Sequence, residues 1–421
     1  MIESDVSYEG ASDWWESELH RGTKPDAEAP RAAEAAERVQ VVDTTLRDGE
    51  QTAGIVFSNQ EKVEIARMLA DAGVYQIEAG VPSMGGDEQE AVSRIVDLDL
   101  GVPILGWNRA VVSDIEASID CGVDGVCIGV PTSHVHIKHK LRRSEKWVLE
   151  SIQRTVEYAK SHGLYVSANA EDASRTPLEF LIEFAQRARD AGADRLRYCD
   201  TIGFQHPFRL VNEVHTIKNA VGIPIEIHTH NDFGMATANT IAGIRGGATF
   251  ASVTVNGLGE RAGNAALEEV VMALKCVLGI PVDFNFEMIR PLCEYVAEAS
   301  GREIGPSKPI VGHRIFYHEA GTVSDGVLKL PETHEPFTPA EVGGVRQITI
   351  GKHSGGHSLR AKFAEFGIDL REQDTDAILD EVRSAAVELK RDLFEKELMQ
   401  IYRAYTAQRT RDDVAARREA E

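Results

Sequence analysis

From Gln40 onward the chain repeats one alternation of polar and apolar positions. A helix-like stretch closes on a small residue plus glycine, and a short apolar run follows: DAGVYQIEAG, DCGVDGVCIG, SHGLYVSAN, DAGADRLRYCD, AVGIPIEIHTH and RGGATFASVTVN. Glycine after a helix supplies the left-handed residue that ends it, and the apolar run behind it has the pattern of a buried parallel strand. Counting from Val41–Val42, strands are predicted near Gln76–Ala79, Pro103–Trp107, Gly125–Gly129, Tyr165–Asn169, Arg195–Cys199, Ile225–His228 and Phe250–Val255. Helices fill the gaps, among them Asn59–Ala72, Pro177–Ala191 behind an N-capping Thr176, and Ala265–Leu278. Eight such units over roughly 240 residues match the size of a (β/α)8 barrel. An open doubly wound sheet is the alternative, but it carries fewer strands and a glycine-rich first turn, whereas the first turn here reads DTTLRDGEQ.

The pattern changes after Leu278. The sequence therefore predicts an α/β fold, a (β/α)8 TIM barrel over 40–280, followed by a smaller mixed and helical C-terminal region. Residues 281–345 hold short elements rich in Pro and Gly and read as a linker subdomain. Residues 346–421 read as helical, with amphipathic helices over 372–407 and a frayed, solvated tail at RTRDDVAARREAE. Residues 1–39 are acidic, Ala-rich and aperiodic. They are expected to be a disordered extension whose Trp14–Trp15 pair docks elsewhere.

Composition narrows the class of partners. Lys+Arg number 45 against 67 Asp+Glu, a formal charge of −22. That surface repels phosphate backbones and anionic membranes, so nucleic acid is not an expected partner. Five cysteines without a CxxC pair (Cys121, Cys127, Cys199, Cys276, Cys293) suggest neither a disulfide framework nor a zinc knuckle. Cys127 and Cys199 sit in strand-like runs and read as buried thiols. No signal peptide or run of about 20 apolar residues is present, and the expected location is the cytoplasm.

In such barrels the chemistry lies at the C-terminal strand ends. Strand 1 runs into Asp43-Thr44-Thr45-Leu46-Arg47-Asp48, strand 7 into His228-Thr229-His230, and strand 8 is followed by a loop ending in Asn264. His228 and His230, two apart on an extended segment, point to one side. Strands 7, 8 and 1 are neighbours in a closed barrel, so His228, His230, Asp48 and Asn264 can converge on one divalent cation; Mg, Mn and Zn all suit a mixed nitrogen and oxygen set. Sheet-end hydrogen bonding is the bland alternative. Arg47 is either a surface ion-pair partner or a fork for a substrate oxygen. Glu171 is either a helix-start carboxylate or part of the site, and Thr201 either a helix cap or a hydroxyl for a substrate carboxylate. The run from His134 to Arg143 is either a solvated charge run or an anion pocket.

Taken together, DTTLRDGEQ, EDASR, HTHNDFGMATAN, GLGERAGNAALEEV, KPIVGHRIFYHEAG and GKHSG resemble the α-isopropylmalate synthase/homocitrate synthase family over roughly residues 40–370, nearest to homocitrate synthases of the nitrogen-fixation type. The large C-terminal regulatory domain of many isopropylmalate synthases is not expected. The resemblance implies a metal-dependent acyltransferase using acetyl-CoA as co-substrate and a small 2-oxo acid. It implies Asp48, His228, His230 and Asn264 at the metal, Arg47 and Thr201 on the 2-oxo acid, and Arg47 and Glu171 in the catalytic group. It further implies a homodimer in which residues 281–345 reach the partner's site. One position departs. Where the family reads HESGIHxDG, with its second histidine implicated in acid–base chemistry, this chain reads HEAGTVSDG, so Val323 replaces that histidine; either another group such as His318 or Glu171 substitutes, or the acid–base arrangement is rebuilt for a different substrate.

The expected reaction is condensation of acetyl-CoA with 2-oxoglutarate to homocitrate, because the basic loop favours an acceptor with a second anionic group. Phosphonopyruvate (giving 2-phosphonomethylmalate) and oxaloacetate (giving citrate) satisfy the same electrostatics, and 2-oxoisovalerate would make an isopropylmalate synthase. A lyase or aldolase of the same superfamily, and a binding paralogue without turnover, are the competing classes.

Overall fold

The computed structural model describes residues 38–420. Trp14–Trp15 and nearly all of the acidic extension lie outside the described residues. The chain divides into two compact units, the first ending at Ile304 and the second beginning at Gly305.

In the first unit strands and helices alternate: β1 (Gln40–Asp43), α1 (Asn59–Ala72), β2 (Gln76–Gly80), α2 (Gly86–Val96), β3 (Ile104–Arg109), α3 (Val112–Asp120), β4 (Gly125–Pro131), α4 (Glu145–Ser161), β5 (Tyr165–Glu171), α5 (Leu178–Asp190), β6 (Arg195–Asp200), α6 (Pro207–Val221), β7 (Ile225–Thr229), α7 (Ala236–Arg245), β8 (Phe250–Val253), α8 (Leu267–Cys276) and α9 (Ile289–Ser300). The eight strands close into a parallel barrel in sequence order, with β1 against β8 and Val42 opposite Ser252. This is the fold that the repeat predicts.

Local chemistry sets the boundaries. Ser58 and Glu61 form a reciprocal capping box at the start of α1, and Gly73 ends it at φ 87°. A Cβ at Gly73 would also stand 2.8 Å from the Asp283 carbonyl, so both the backbone angle and the packing require glycine there. Val63, Ile65, Ala66 and Leu69 form the buried face of α1. The expected cap of α5 is corrected: Pro177 occupies the cap position, and Thr176 donates its hydroxyl to the Asp172 carbonyl at 2.9 Å instead. The proline after Thr176 brings the chain into the helix, which leaves that hydroxyl to brace the β5 loop.

The strand registers turn alternate residues into the barrel, and several of these are ionic. Arg195 and Arg197 of β6 each lie 2.6 Å from Glu226 of β7, and Arg197 is 2.7 Å from Glu78 of β2. All four side chains are essentially inaccessible to water. Removing one member of such a buried set costs roughly 3–5 kcal/mol, because the survivor has neither water nor partner.

The second unit, described by itself, pairs β9 (Tyr317–His318) with β10 (Gln347–Ile348) and carries α10 (Gly321–Lys329), α11 (Gly356–Glu365), α12 (Glu372–Leu389) and α13 (Glu395–Ala420). Ile350, Leu359, Phe363, Ile378, Val382 and Leu398 form its apolar core. The last helix, α13, continues through Ala420. The Ala, Arg and Glu residues there favour helix even without packing.

A candidate metal centre at the barrel mouth

The chain leaves β1 in one wide turn, Thr45–Gly49, closed by hydrogen bonds from Gly49 N to Thr44 O (3.1 Å) and from Glu50 N to Thr45 O (3.0 Å). Such five-residue spacing is rare and recurs at functional sites. The Asp43 carboxylate accepts from the Thr45 amide at 2.8 Å and from its hydroxyl at 2.9 Å, which fixes the start of the turn. The turn buries Arg47 and Asp48 side by side.

Across the mouth, alternation along β7 sends Glu226, His228 and His230 inward. His230 forms a bridge with Asn264, supported by Asn231 N to Gly263 O at 2.9 Å and Ala265 N to Thr229 O at 3.2 Å. This draws the loop after β8 over the site. Gly263 makes the approach possible at φ 89°, where a Cβ would stand 2.0 Å from the Gly257 carbonyl.

The result is one buried cluster. Asp48 Oδ2 lies 3.6 Å from His228 Nε2 and 3.8 Å from His230 Nε2, and it also accepts from the Asn264 amide. One ligand atom from each of Asp48, His228 and His230 falls within 4.8 Å of the others. Ser252, opposite His228 on β8, meets His228 Nδ1 at 3.1 Å, which leaves Nε2 facing Asp48. Burial alone would raise the pKa of Asp48, but Arg47, the two imidazoles and Asn264 together hold it down to about 2. Burial pushes both imidazoles below their ordinary value, overcoming the attraction of Asp48. An ionised carboxylate beside two neutral imidazoles is the protonation state that cation binding requires. Asn264 Oδ1 and His230 Nδ1 are buried without a hydrogen-bond partner. The donor set fits a divalent cation.

Arg47 is held from several sides. Its Nε donates to Glu78, its Nη1 lies 3.1 Å from Asp48 Oδ1, and its guanidinium stands 5.6 Å from the centre of the Trp107 ring. Glu78 also accepts from the Thr44 hydroxyl at 2.9 Å, so one carboxylate anchors both the guanidinium and the start of the turn that carries it. Glu78, Trp107 and Ser252 escape the sequence reading. The signal available for Glu78 was an acid in phase with Gln76 on an otherwise apolar strand.

Glu171 and Thr201 stand at the ends of β5 and β6 on the same mouth. Glu171 takes the space left by Gly129, where a Cβ would stand 2.6 Å from its Oε1, and Lys140 Nζ approaches its Oε2 at 3.3 Å. The Thr201 hydroxyl accepts from the Asp172 amide at 2.8 Å, which leaves its own proton to donate. Arg261 donates to the Thr201 carbonyl at 2.7 Å and pairs with Asp232, tying the β6 loop to the segment after His230. In the second unit, His318 Nε2 lies 3.1 Å from Glu335, a carboxylate also held by Arg346 at 2.6 and 2.8 Å. Val323 lies on α10 and is half-buried.

A closed (β/α)8 barrel with an Asp–His–His cluster at the C-terminal strand ends belongs to the class of metal-dependent barrel enzymes. Family comparison is more specific. Residues 38–296 match the HMGL-like model, and residues 310–390 match the homocitrate synthase post-HMGL domain-like model. The chain is 58% identical over 364 residues to 2-isopropylmalate synthase 2 of Caldanaerobacter subterraneus subsp. tengcongensis, covering 86% of this chain and 95% of that protein. It is 45% identical to homocitrate synthase 1 of Nostoc sp., covering 86% of this chain and 97% of that one. The HMG-CoA lyase of Bacillus subtilis superposes with a TM-score of 0.57 at 21% identity, over 64% of this chain and 95% of that one, a likeness of fold. The chain belongs to the isopropylmalate synthase/homocitrate synthase family, acyltransferases that use acetyl-CoA and a divalent metal and condense acetyl-CoA with a 2-oxo acid.

Proposed function

We propose that this chain condenses acetyl-CoA with a small 2-oxo acid carrying a second anionic group, with 2-oxoglutarate giving homocitrate as the leading case. The reading rests on the buried cluster of Asp48, His228, His230 and Asn264 with Arg47 fixed beside it. Asp48 and the two imidazoles would hold the cation, with the Asn264 carbonyl oxygen, otherwise partnerless, as a further donor. When bound, the cation supplies Lewis-acid polarisation of the acceptor's carbonyl, an effect worth several kcal/mol.

The remaining work falls to the chain's own side chains. Arg47, immobilised by Glu78, offers its outer nitrogens to the acceptor's oxygens, and the Thr201 proton is directed to the acceptor's carboxylate. Val323 cannot carry a proton, and His318 is engaged with Glu335. Proton removal from the acetyl methyl is therefore assigned to Glu171, whose carboxylate meets the exposed ammonium of Lys140. Lys140 is also the cation at the mouth that a distal carboxylate or phosphonate would meet. The dimer implied by the family resemblance, with residues 281–345 reaching the partner's site, belongs to the same proposal.

A second reading is favoured by the Caldanaerobacter relative and by a cavity of about 440 Å³ beside Arg47. Ile55, Val56, Phe57, Val81 and Met84 form its apolar wall, which suits the branched chain of 2-oxoisovalerate. Thiol release from acetyl-CoA with metal-loaded protein separates the readings. 2-Oxoglutarate, oxaloacetate, phosphonopyruvate and 2-oxoisovalerate are compared by kcat/KM. The dianionic acceptors should lead, and 2-oxoisovalerate as the best acceptor would overturn the assignment of Lys140. Thiol release with none of them would overturn the enzyme reading.

A further inference from the structure

The loop from Ser133 to Arg143 leaves β4 at the same end of the barrel as the metal cluster, and its charges divide into two groups. Its inner residues are consumed by the β5 loop. Ser133 donates to the Asp172 carboxylate, His136 Nε2 lies 3.3 Å from Arg175, and Lys140 reaches Glu171. The loop is well anchored. Ile137 is buried and bonds back to the Ser133 carbonyl at 2.8 Å, and the Arg143 amide reaches the Ile137 carbonyl at 3.1 Å.

The outer residues are different. Lys138, His139, Arg142 and Arg143 are exposed, and among the described residues none of the four has a carboxylate within ion-pair distance. Arg143 rests on the ring of Trp147 instead, 5.4 Å from its centre. This happens in a chain with 67 acidic residues against 45 basic ones. Lys138, Arg142 and Arg143 carry like charges within six residues of chain, and like charges so close in sequence disfavour one another. A cluster of this kind on an anchored loop is complementary to a small, highly charged anion brought from outside.

We propose that the outer face of this loop binds the phosphates of acetyl-CoA, the diphosphate and the 3′-phosphate, with Lys138, Arg142 and Arg143 as the contacts. The proposal rests on the acetyl-CoA-dependent reading above and adds where the carrier part of that substrate lies. The thioester would lie at the mouth, where Glu171 stands, with the charged end on the flank of the same loop. Arg143 presents a planar fork for a phosphate and brings the Trp147 ring within reach of the adenine.

The test uses the full-length, metal-loaded protein and the variant Lys138→Ala/Arg142→Ala/Arg143→Ala. Two donors are compared, acetyl-CoA and acetyl-pantetheine, which lacks the phosphates and the adenosine. The KM for acetyl-CoA should rise on the order of tenfold or more in the variant. Its kcat, its KM for acetyl-pantetheine and its KM for the 2-oxo acid should stay within about twofold. Calorimetry with adenosine 3′,5′-bisphosphate provides a measurement that needs no turnover. Wild type should bind it with an affinity that falls as salt rises, and the variant should lose that binding. Unchanged KM for acetyl-CoA, an equal rise for both donors, or equal binding of the bisphosphate by both proteins would overturn the proposal. A wild type that binds the bisphosphate but releases no thiol with any acceptor would refute the enzymatic reading while leaving this one standing.

Discussion

The two sides of the barrel mouth follow opposite rules. On the side of β7, β8 and β1, the polar side chains are buried and engaged with one another: Asp48 with the two imidazoles and Asn264, Arg47 with Glu78, and His228 with Ser252, with Asn264 Oδ1 and His230 Nδ1 the unpartnered atoms named above. On the side of β4, Lys138, Arg142 and Arg143 are exposed with no carboxylate in ion-pair distance among the described residues, although Lys140 of the same loop meets Glu171. The first side pays for desolvation with fixed geometry, which suits a group that must polarise one bond in one orientation. The second keeps its charge hydrated and available, which suits a ligand held mainly by its own charge. The same contrast predicts where substitutions hurt.

The largest effect is expected at the closed side. Asp48→Asn or His228→Ala should lower kcat by at least about a thousandfold, the factor that corresponds to losing several kcal/mol of carbonyl polarisation. Chelation should reproduce the loss in wild type, and added Mn or Mg should restore it in wild type alone. Activity that survives in either variant would show that the cluster is not the metal centre.

Glu78→Gln comes next. It leaves Arg47 and Arg197 without their shared carboxylate inside the barrel. The expected destabilisation is about 3–5 kcal/mol in urea unfolding, accompanied by a higher KM for the 2-oxo acid as Arg47 loosens. A variant as stable as wild type would mean that water or a shifted partner reaches that interior.

These two substitutions also mark how far the sequence could be read. The barrel was legible because glycine-terminated helices and apolar runs recur at a fixed spacing. Asp48, His228, His230 and Asn264 were legible because strand alternation and ring closure force them together. Glu78 was not, since an acid on β2 shows its role only once Arg47 and Arg197 are seen to close on it from other strands. Thr176 was misread because its hydroxyl turns back to the Asp172 carbonyl and meets the Thr132 hydroxyl, partners contributed by the β5 loop and the end of β4. The basic loop was legible as a charge run, but its division into engaged and free cations depends on carboxylates contributed by β5.

Asp43 gives a smaller effect, read through pH. Burial, opposed by the hydrogen bonds from Thr45 and reinforced by Glu78 and Glu268, raises its pKa to about 7. The unfolded value is near 3.9. A folded pKa above the unfolded one means that its contribution to stability is complete below about pH 4 and is lost as pH rises through about 7. Asp43→Asn should therefore remove a decline of up to about 1.4 kcal/mol per pH unit over that window. The check is the difference between wild-type and variant unfolding free energies at pH 5, 6 and 7. A difference that does not change with pH would mean that Asp43 stays ionised in the fold.

The smallest effect sharpens the comparison most. Lys138 is exposed, has no ion-pair partner among the described residues, and sits on a turn whose anchoring belongs to Ser133, His136 and Ile137. Lys138→Ala removes one member of a mutually repelling set and breaks no hydrogen bond of the fold. Unfolding free energy should stay within about 0.5 kcal/mol of wild type, the ordinary range for a surface site without a partner, and any shift should be toward higher stability at low salt. Repeating the measurement at high salt should erase it. A loss of stability larger than that would show that Lys138 has a partner within the fold, and the open side of the mouth would then obey the same rule as the closed one.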